Sequence, residues 1–203
     1  MSDLSNQIEQ GLEAEKEETS RLPKSQCHPS ILLHPNIPKP MHGVNPRSIL
    51  GQSWWDNERK EAEQRTRGHC LACGIHKSKA RFRQWMEGHE LYQINYTKGR
   101  MIYIKTVPLC HYCHNYIHSG RMFALLEQGK FNVSQYRAII NHGDRVLAQA
   151  KITKPPPEIL DNSQVASWGD WRLVIDGVEY PPKYKTPAHW AAAFGRSPSR
   201  HLH

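Results

Sequence analysis

The sequence contains little hydrophobic material and no long hydrophobic run. Hydrophobic residues make up 38% of the 203 positions, and the mean hydropathy is −0.71. The apolar runs are far too short to cross a bilayer, and the first five residues lack the basic and then apolar layout of a secretory signal. These absences argue against a membrane protein. We expect a soluble cytoplasmic chain with one modest core and solvated tails.

Acidic residues are nearly absent from one part of the chain. Between Arg65 and Arg121 there are ten lysines and arginines but only two acids, Glu87 and Glu90, whereas the remainder carries 17 residues of each sign. The net charge of +8 therefore belongs to this segment. Such a segment is typical of a surface that binds nucleic acid, although a merely solvated basic face has the same composition. The candidate phosphate-binding residues are Lys77, Lys79, Arg81, Arg83, Lys98, Arg100 and Arg121.

Cysteine is also scarce, but its spacing is informative. Four of the five cysteines form two Cys-x-x-Cys pairs, Cys70 with Cys73 and Cys110 with Cys113. A tight turn with this spacing lets two thiolates bind one tetrahedral zinc, and Gly74 after the first pair eases the backbone. We therefore predict a structural Zn²⁺ held by all four, the alternative being four free or disulfide-forming thiols. Cys27 stands outside both pairs and is interpreted as a cysteine without a metal.

Three histidines near these cysteines form a second candidate site. His89 lies on a predicted strand, and His114 and His118 lie four residues apart on one face of a predicted helix. Together they have the donor atoms for a second divalent metal, Mg²⁺, Mn²⁺ or Zn²⁺, with positions left open for water and a phosphate oxygen. Each also has a structural interpretation, as a half-exposed strand residue or as a contact with the cysteine knuckle.

Hydrophobic periodicity and turn residues predict alternating short elements. They are a helix over 54–65, strands over 85–92 and 100–107 that form a hairpin, a helix from His114 to His118, helices over 122–126 and 134–150, the latter interrupted at Gly143, strands over 171–175 and 178–180 around an Asp176-Gly177 turn, and a helix over 187–194 capped by Thr186.

The predicted organisation has four parts. Residues 1–46 form a flexible or extended N-terminal arm, 47–125 the zinc-binding core, 126–153 a helical extension, and 154–203 a linker with a small C-terminal appendage. Ordered structure is expected to begin near Trp54, after an acidic stretch without a buried face and a proline-rich arm on the surface. The arm and the appendage are candidate contacts for a protein partner.

The region from Trp54 to Arg121 carries three motifs in order. They are Cys70-Leu-Ala-Cys73-Gly74, then Glu87-Gly88-His89-Glu90-Leu91, then Pro108-Leu109-Cys110-His-Tyr-Cys113-His114-Asn115-Tyr116-Ile117-His118. In this pattern the chain resembles the HNH, or ββα-metal, nuclease family in its zinc-ribbon-framed form. The resemblance implies an α+β fold with a small ββα-metal, treble-clef zinc core and flanking helices, joined here to the extended N-terminal arm and the C-terminal hairpin and helix.

The resemblance also implies an activity and its residues. Small phage and bacterial proteins that are similar in having His-Glu at this point are identified as HNH endonucleases, which implies a DNA nuclease of a bacterial or phage-infected cell. His89, His114 and His118 would bind the catalytic metal. A base would activate water, the metal would polarise the scissile phosphate, and the basic loop from Lys77 to Arg83 would hold the DNA backbone.

The base position departs from the family pattern. Most members have histidine where Glu90 stands, and asparagine or a similar residue where Lys105 or Thr106 stands. Three interpretations stay open. Glu90 accepts the proton as a weaker base than imidazole, or His89 is the base and Glu90 on the opposite strand face is structural, or the site does not cut. The last predicts a catalytically inactive zinc module that binds nucleic acid or a protein partner through its basic face.

Overall fold

The computed structural model describes residues 22–82, 84–155 and 165–193. Over these ranges the chain has a mixed α+β fold, with six α-helices and a four-stranded sheet. The acidic stretch 9–18, Arg83 and most of the predicted linker lie outside the described residues. Within the described ranges, no helix is long and apolar enough to span a bilayer.

The predicted helices and strands are present in the predicted order, with boundaries shifted by a few residues, and a short helix over Pro46–Leu50 that was not predicted precedes them. The helices are α1 (Pro46–Leu50), α2 (Gln52–Arg65), α3 (His111–Ile117), α4 (Ser119–Glu127), α5 (Val133–Gln149) and α6 (Pro187–Ala193). The strands are β1 (Glu87–Asn95), β2 (Arg100–Leu109), β3 (Arg172–Ile175) and β4 (Val178–Tyr180), hydrogen-bonded in the order β1-β2-β3-β4. Short 3-10 turns lie at Lys24–Gln26, Pro29–Leu33, Lys39–Met41, Lys77–Lys79 and Trp168–Asp170.

The first of two compact units carries both predicted metal sites. It comprises the described residues of 22–33, 59–89 and 107–154. Helix α5 packs on α3 and α4, and both α3 and α5 contact the turn Pro29–Leu33. Leu32 from this turn and Ile139 and Leu147 from α5 are buried. This apolar packing holds α3, the helix that begins at the second cysteine pair, against α5.

Gly143 does not interrupt α5, contrary to the sequence-based expectation. The helix runs unbroken from Val133 to Gln149. A Cβ atom at Gly143 would lie 2.1 Å from Cδ2 of Tyr116, so the missing side chain lets the Tyr116 ring of α3 lie directly on the α5 backbone. The Tyr116 hydroxyl then donates a hydrogen bond to Asp144 Oδ1 at 2.7 Å. The glycine is therefore a packing position between two helices.

The second unit contains most of the sheet. It comprises the described residues of 34–58, 90–106 and 155–203. Strand β3 pairs with β2 in parallel and with β4 in antiparallel register. The predicted turn between β3 and β4 is confirmed, because Asp176 and Gly177 both have positive φ angles, 49° and 81°. The core of this unit consists of Met41, Val44, Tyr92, Met101, Trp171, Leu173 and Ile175. The sequence predicts the C-terminal hairpin but not that it continues the sheet.

The proline-rich segment is not the extended surface arm that the sequence predicts, and order does not begin near Trp54. Three 3-10 turns precede α1, and Met41 at the end of the third is fully buried. Asn45 caps α1 by accepting a hydrogen bond from the Ser48 amide at 2.8 Å, with Pro46 in the first turn. The prolines favour these turns because their fixed φ suits helical starts, and Leu32, Met41 and Val44 of the segment are buried.

Candidate metal centre

The four cysteines of the two Cys-x-x-Cys pairs lie together in the first unit. Their sulfur atoms all lie within 4.8 Å of one another, and Cys73 Sγ is 3.8 Å from Cys110 Sγ. Three of the four residues are buried and Cys73 is half-buried. Four thiols at these distances fit the ligand set of one tetrahedral zinc. The chain therefore has a candidate tetracysteine metal centre.

Local hydrogen bonds explain why the first pair forms a knuckle. The Gly74 amide donates to the Cys70 carbonyl at 2.8 Å, and the Cys70 amide donates to the Ile75 carbonyl at 2.9 Å. Gly74 has φ = +76°, and a Cβ there would lie 2.8 Å from Cys27 Sγ. Only glycine fits this turn without strain. The prediction that Gly74 eases the turn is confirmed.

The second pair is positioned by the end of β2 and the start of α3. Cys110 immediately precedes α3, and Cys113 lies in its first turn. The Leu71 amide of the first knuckle donates to the Pro108 carbonyl at 2.9 Å, which ties the two knuckles together. Two segments that are distant in sequence thus place their thiols around one point.

Without a cation, the clustered cysteine side chains have strongly shifted pKa values. A hydrogen bond from Cys110 holds the pKa of Cys73 well below its usual range. Hydrogen bonding to Cys110, together with burial, raises the pKa of the Cys113 thiol well above its usual range. Several thiolates packed this closely repel one another unless a cation lies between them. A divalent metal would therefore bind here by replacing thiol protons.

His142 on α5 also contacts this centre, and the sequence analysis missed it. Its Nε2 lies 3.3 Å from Cys113 Sγ, within hydrogen-bond range of the sulfur. An N–H donor at this point stabilises negative charge on a thiolate ligand. No local motif marks His142, because it lies 29 residues beyond Cys113 and reaches it only through the packing of α5 on α3.

The three predicted histidine ligands also lie together in the first unit. One ring nitrogen from each of His89, His114 and His118 lies within 4.8 Å of the others. The ring centroids are separated by 5.5 Å for His89 and His114, 5.2 Å for His89 and His118, and 4.8 Å for His114 and His118. His89 is only 3% exposed, and the other two are half-buried. We call these three residues the imidazole cluster.

Glu87 on β1 orients this cluster, and the sequence analysis missed its role. Its two carboxylate oxygens accept hydrogen bonds from His111 Nδ1 at 2.7 Å and from His114 Nδ1 at 2.5 Å. Burial opposes ionisation of Glu87, but the hydrogen bonds from His111 and His114 outweigh it and hold the pKa of the carboxyl well below its usual range. With Nδ1 of His114 donating, its Nε2 keeps a lone pair for a ligand. The available signal was strand alternation, since Glu87 and His89 are two residues apart on one face.

Glu90, the predicted base, lies on the other face of β1. Alternation along the strand directs its side chain away from the face that carries Glu87 and His89. Burial is the main cause that raises the pKa of Tyr92 and of Tyr103, and the charge of Glu90 adds to it in both. Glu90 therefore lies close to these tyrosines, and the imidazole cluster does not include it.

The predicted phosphate-binding residues fall into three sets. Lys79 and Arg81 are exposed in the loop that leads to β1, and Lys77 in the same loop forms an ion pair with Glu63 at 2.5 Å. Arg121 is exposed on α4. In the second unit Lys98 is exposed, while Arg100 forms an ion pair with Glu179 at 3.1 Å. Arg83 lies outside the described residues.

The fold and the two clusters define an α+β protein with a candidate tetracysteine metal centre. In comparisons with known proteins, no family model matches the chain, and no curated protein or solved structure gives a significant match.

Proposed function

We propose that this protein is a metal-dependent endonuclease of the HNH type that hydrolyses DNA phosphodiester bonds. The observation that carries the proposal is the imidazole cluster, with three ring nitrogens within 4.8 Å of one another in the same unit as the four-cysteine centre. In this proposal a structural Zn²⁺ occupies the cysteines and a second divalent cation, Mg²⁺, Mn²⁺ or Zn²⁺, occupies the imidazoles.

The two donor sets suit different tasks. Four thiolates saturate a tetrahedral zinc and leave no position for a substrate, which is the pattern of structural sites. Three imidazoles leave positions open, which is the pattern of catalytic sites. A divalent cation bound there would supply charge that polarises a phosphodiester.

The remaining residues position the site and its substrate. Glu87 fixes the ring orientation of His114 through the hydrogen bond at Nδ1, so the cluster is organised before a cation binds. The exposed side chains of Lys79 and Arg81 provide positive charge in the same unit. Such charges hold a DNA backbone without reading its sequence.

The strand geometry supports one of the three interpretations of the proton acceptor. Because Glu90 lies on the face of β1 opposite to His89, we favour the alternative in which Glu90 is structural. In that case His89, at 3% exposure, is the candidate base, and the cation is held by His114 and His118 alone, which leaves one more position open than three imidazole ligands would. The Glu90→Gln variant distinguishes this assignment from one in which the Glu90 carboxylate is the base.

A nuclease assay with matched histidine variants tests the proposal. Purified protein is incubated with duplex and single-stranded DNA in Mg²⁺, Mn²⁺ or Ni²⁺, beside His118→Ala and His189→Ala. His189 is an exposed histidine on α6 in the second unit and serves as the control. We expect cutting by the wild type and by His189→Ala, and a loss of about 100-fold or more in His118→Ala. Equal cutting by the wild type and His118→Ala would refute the site.

A second function has its own supporting observation. Phe82 and Trp85 are 56% and 48% exposed in the loop that carries Lys79 and Arg81, a combination found in surfaces that bind nucleic acid without chemistry. In this alternative the chain is a catalytically inactive zinc module. Elemental analysis distinguishes the two, because one tightly bound zinc with no second, weaker metal site supports the module, and a second site supports the enzyme.

A further inference from the structure

A small cavity in the first unit lies beside the imidazole cluster but outside it. Its volume is about 220 Å³. The residues that line it are Phe82, His111, Phe131, Gln135 and Ile139. Two phenyl rings, an imidazole and the buried Ile139 side chain offer flat or apolar faces, and the Gln135 amide offers both a donor and an acceptor. From this combination we infer that the cavity binds a nucleobase of an unpaired nucleotide in DNA.

The walls of the cavity match the chemistry of a nucleobase. A base is a flat ring with a π face on each side and a polar edge, and proteins bind it by aromatic stacking and by hydrogen bonds to the edge. Phe82 is held as one wall by ring contacts to His111 and Tyr112, each with centroids 5.6 Å apart. More than half of its surface stays exposed. The exposed part is the face that a base would cover.

Phe82 also has a backbone conformation that is unusual for a bulky residue. Its φ angle is +71°, in the left-handed region that favours glycine. Besides tight turns, residues held in this region are found at functional sites such as ligand clamps. The phenyl ring on this backbone contacts His111 of α3.

The charge of the surroundings favours a nucleotide over an uncharged aromatic ligand. Lys79 and Arg81, both exposed, occupy alternate positions immediately before Phe82. Their positive charges suit the phosphates that flank a base, whereas an aromatic side chain of a peptide brings no such charge. The cavity and the basic loop together therefore fit one unpaired nucleotide and its backbone.

One carboxylate connects the cavity to the proposed catalytic centre. His111 lines the cavity and donates to Glu87 Oε1 at 2.7 Å, and Glu87 Oε2 accepts from His114 at 2.5 Å. A base seated against His111 would place its strand next to the imidazole cluster. The choice of DNA as the ligand rests on the proposed nuclease function, and the binding of a base goes beyond it.

Binding measurements that compare DNA with and without bases test the inference. The full zinc-containing chain with His118→Ala is titrated with a fluorescently labelled single strand and with an abasic strand of the same length. Stacking predicts that the strand with bases binds about tenfold more tightly or better. Phe82→Ala and Phe131→Ala should each remove most of this difference, whereas Phe82→Trp should keep it. Phe123→Ala is the matched control, because Phe123 is a phenylalanine of the same unit that is 47% exposed and lies outside the cavity.

Two DNA duplexes distinguish a base that is already unpaired from a base that the protein extrudes from the duplex. A 2-aminopurine probe is placed in a fully paired duplex and in a duplex with one unpaired position. A change in fluorescence only at the unpaired position shows that the cavity takes bases already exposed, and a change in both shows that it also takes bases extruded from the duplex.

The nuclease proposal and the base-binding proposal can be refuted independently of each other. Equal affinity for the abasic and the normal strand, with no change in fluorescence in either duplex, would overturn the base-binding cavity even if the wild type cuts DNA. A clear preference for bases that Phe82→Ala abolishes would support the cavity even if the wild type cuts nothing, in which case the nuclease proposal alone is lost.

Discussion

Glu87 Oε2 accepts a hydrogen bond from His114 Nδ1 at 2.5 Å, and this contact joins β1 to α3 within the first unit. The other carboxylate oxygen accepts a hydrogen bond from His111, so the Glu87 side chain orients both His111 and His114. A carboxylate behind a histidine ligand fixes the tautomer and the orientation of the ring and increases its basicity. The contact is therefore expected to determine how well the imidazole cluster binds a cation.

The first prediction concerns this contact. We expect Glu87→Gln to weaken binding of the second metal, and cutting at limiting metal, by about 10- to 100-fold, because the amide loses the charge that holds His114. Isothermal titration calorimetry with the metal measures the change in affinity. Glu61→Gln, at an exposed acid on α2, is the control. Unchanged metal affinity in Glu87→Gln would mean that the carboxylate only supports packing.

The second prediction concerns the base. If Glu90 is structural, Glu90→Gln should leave the cleavage rate at saturating metal within about threefold of the wild type, since the substitution keeps the shape and removes only the proton acceptor. A decrease of about 100-fold or more would instead assign the base to Glu90. Thermal unfolding of the same samples separates a loss of chemistry from a loss of fold.

The third prediction concerns the structural metal. We expect Cys113→Ser to reduce the zinc content from one per chain toward zero and to destabilise the first unit, because structural zinc contributes about 10 kcal/mol or more of binding free energy to such folds. Elemental analysis and thermal unfolding measure both effects. Cys27→Ser is the control, because Cys27 Sγ contacts the backbone carbonyls of Leu22 and Pro23 and does not belong to the four-cysteine cluster. Full zinc content in Cys113→Ser would argue against the four-cysteine site.

The fourth prediction concerns the contact between His142 and the sulfur cluster. Removing the donor to Cys113 Sγ in His142→Ala should speed the loss of zinc to a chelator by about tenfold, since the thiolate is then less stabilised. A colorimetric chelator follows the release. The rate in His189→Ala, in the second unit, should equal that of the wild type. Equal rates in both variants would show that the contact does not affect the metal.

The fifth prediction uses two helical glycines with different surroundings. Gly143→Ala places a Cβ 2.1 Å from the Tyr116 ring, and we expect a loss of about 1–3 kcal/mol or more in the free energy of unfolding. Gly120→Ala on α4 meets nothing within 4 Å, so it should be neutral or gain about 0.5–1 kcal/mol from reduced freedom of the unfolded chain. Urea denaturation compares them. Equal effects would mean that α3 and α5 move apart at no cost.

Local features could be predicted from the sequence because they depend on near neighbours in the chain. The hairpin of β1 and β2, the turn at Asp176 and Gly177, and the Thr186 cap, whose Oγ1 accepts from the His189 amide at 3.1 Å, follow from residue type and spacing. The proline-rich segment was misread because prolines indicate both extended chain and 3-10 turns. Burial of Met41 decides between them, and burial depends on residues far away in the sequence.

At the candidate site, too, local features could be predicted from the sequence and long-range contacts could not. By itself the sequence determined which residues carry metal-binding chemistry, because Cys-x-x-Cys spacing and an i, i+4 histidine pair act over one turn of chain. Only the tertiary structure decided that the two cysteine pairs meet, that His89 joins His114 and His118, and that Glu87 rather than Glu90 faces them. Those outcomes depend on how β1 and α3 are packed, and no local pattern specifies contacts between segments more than twenty residues apart.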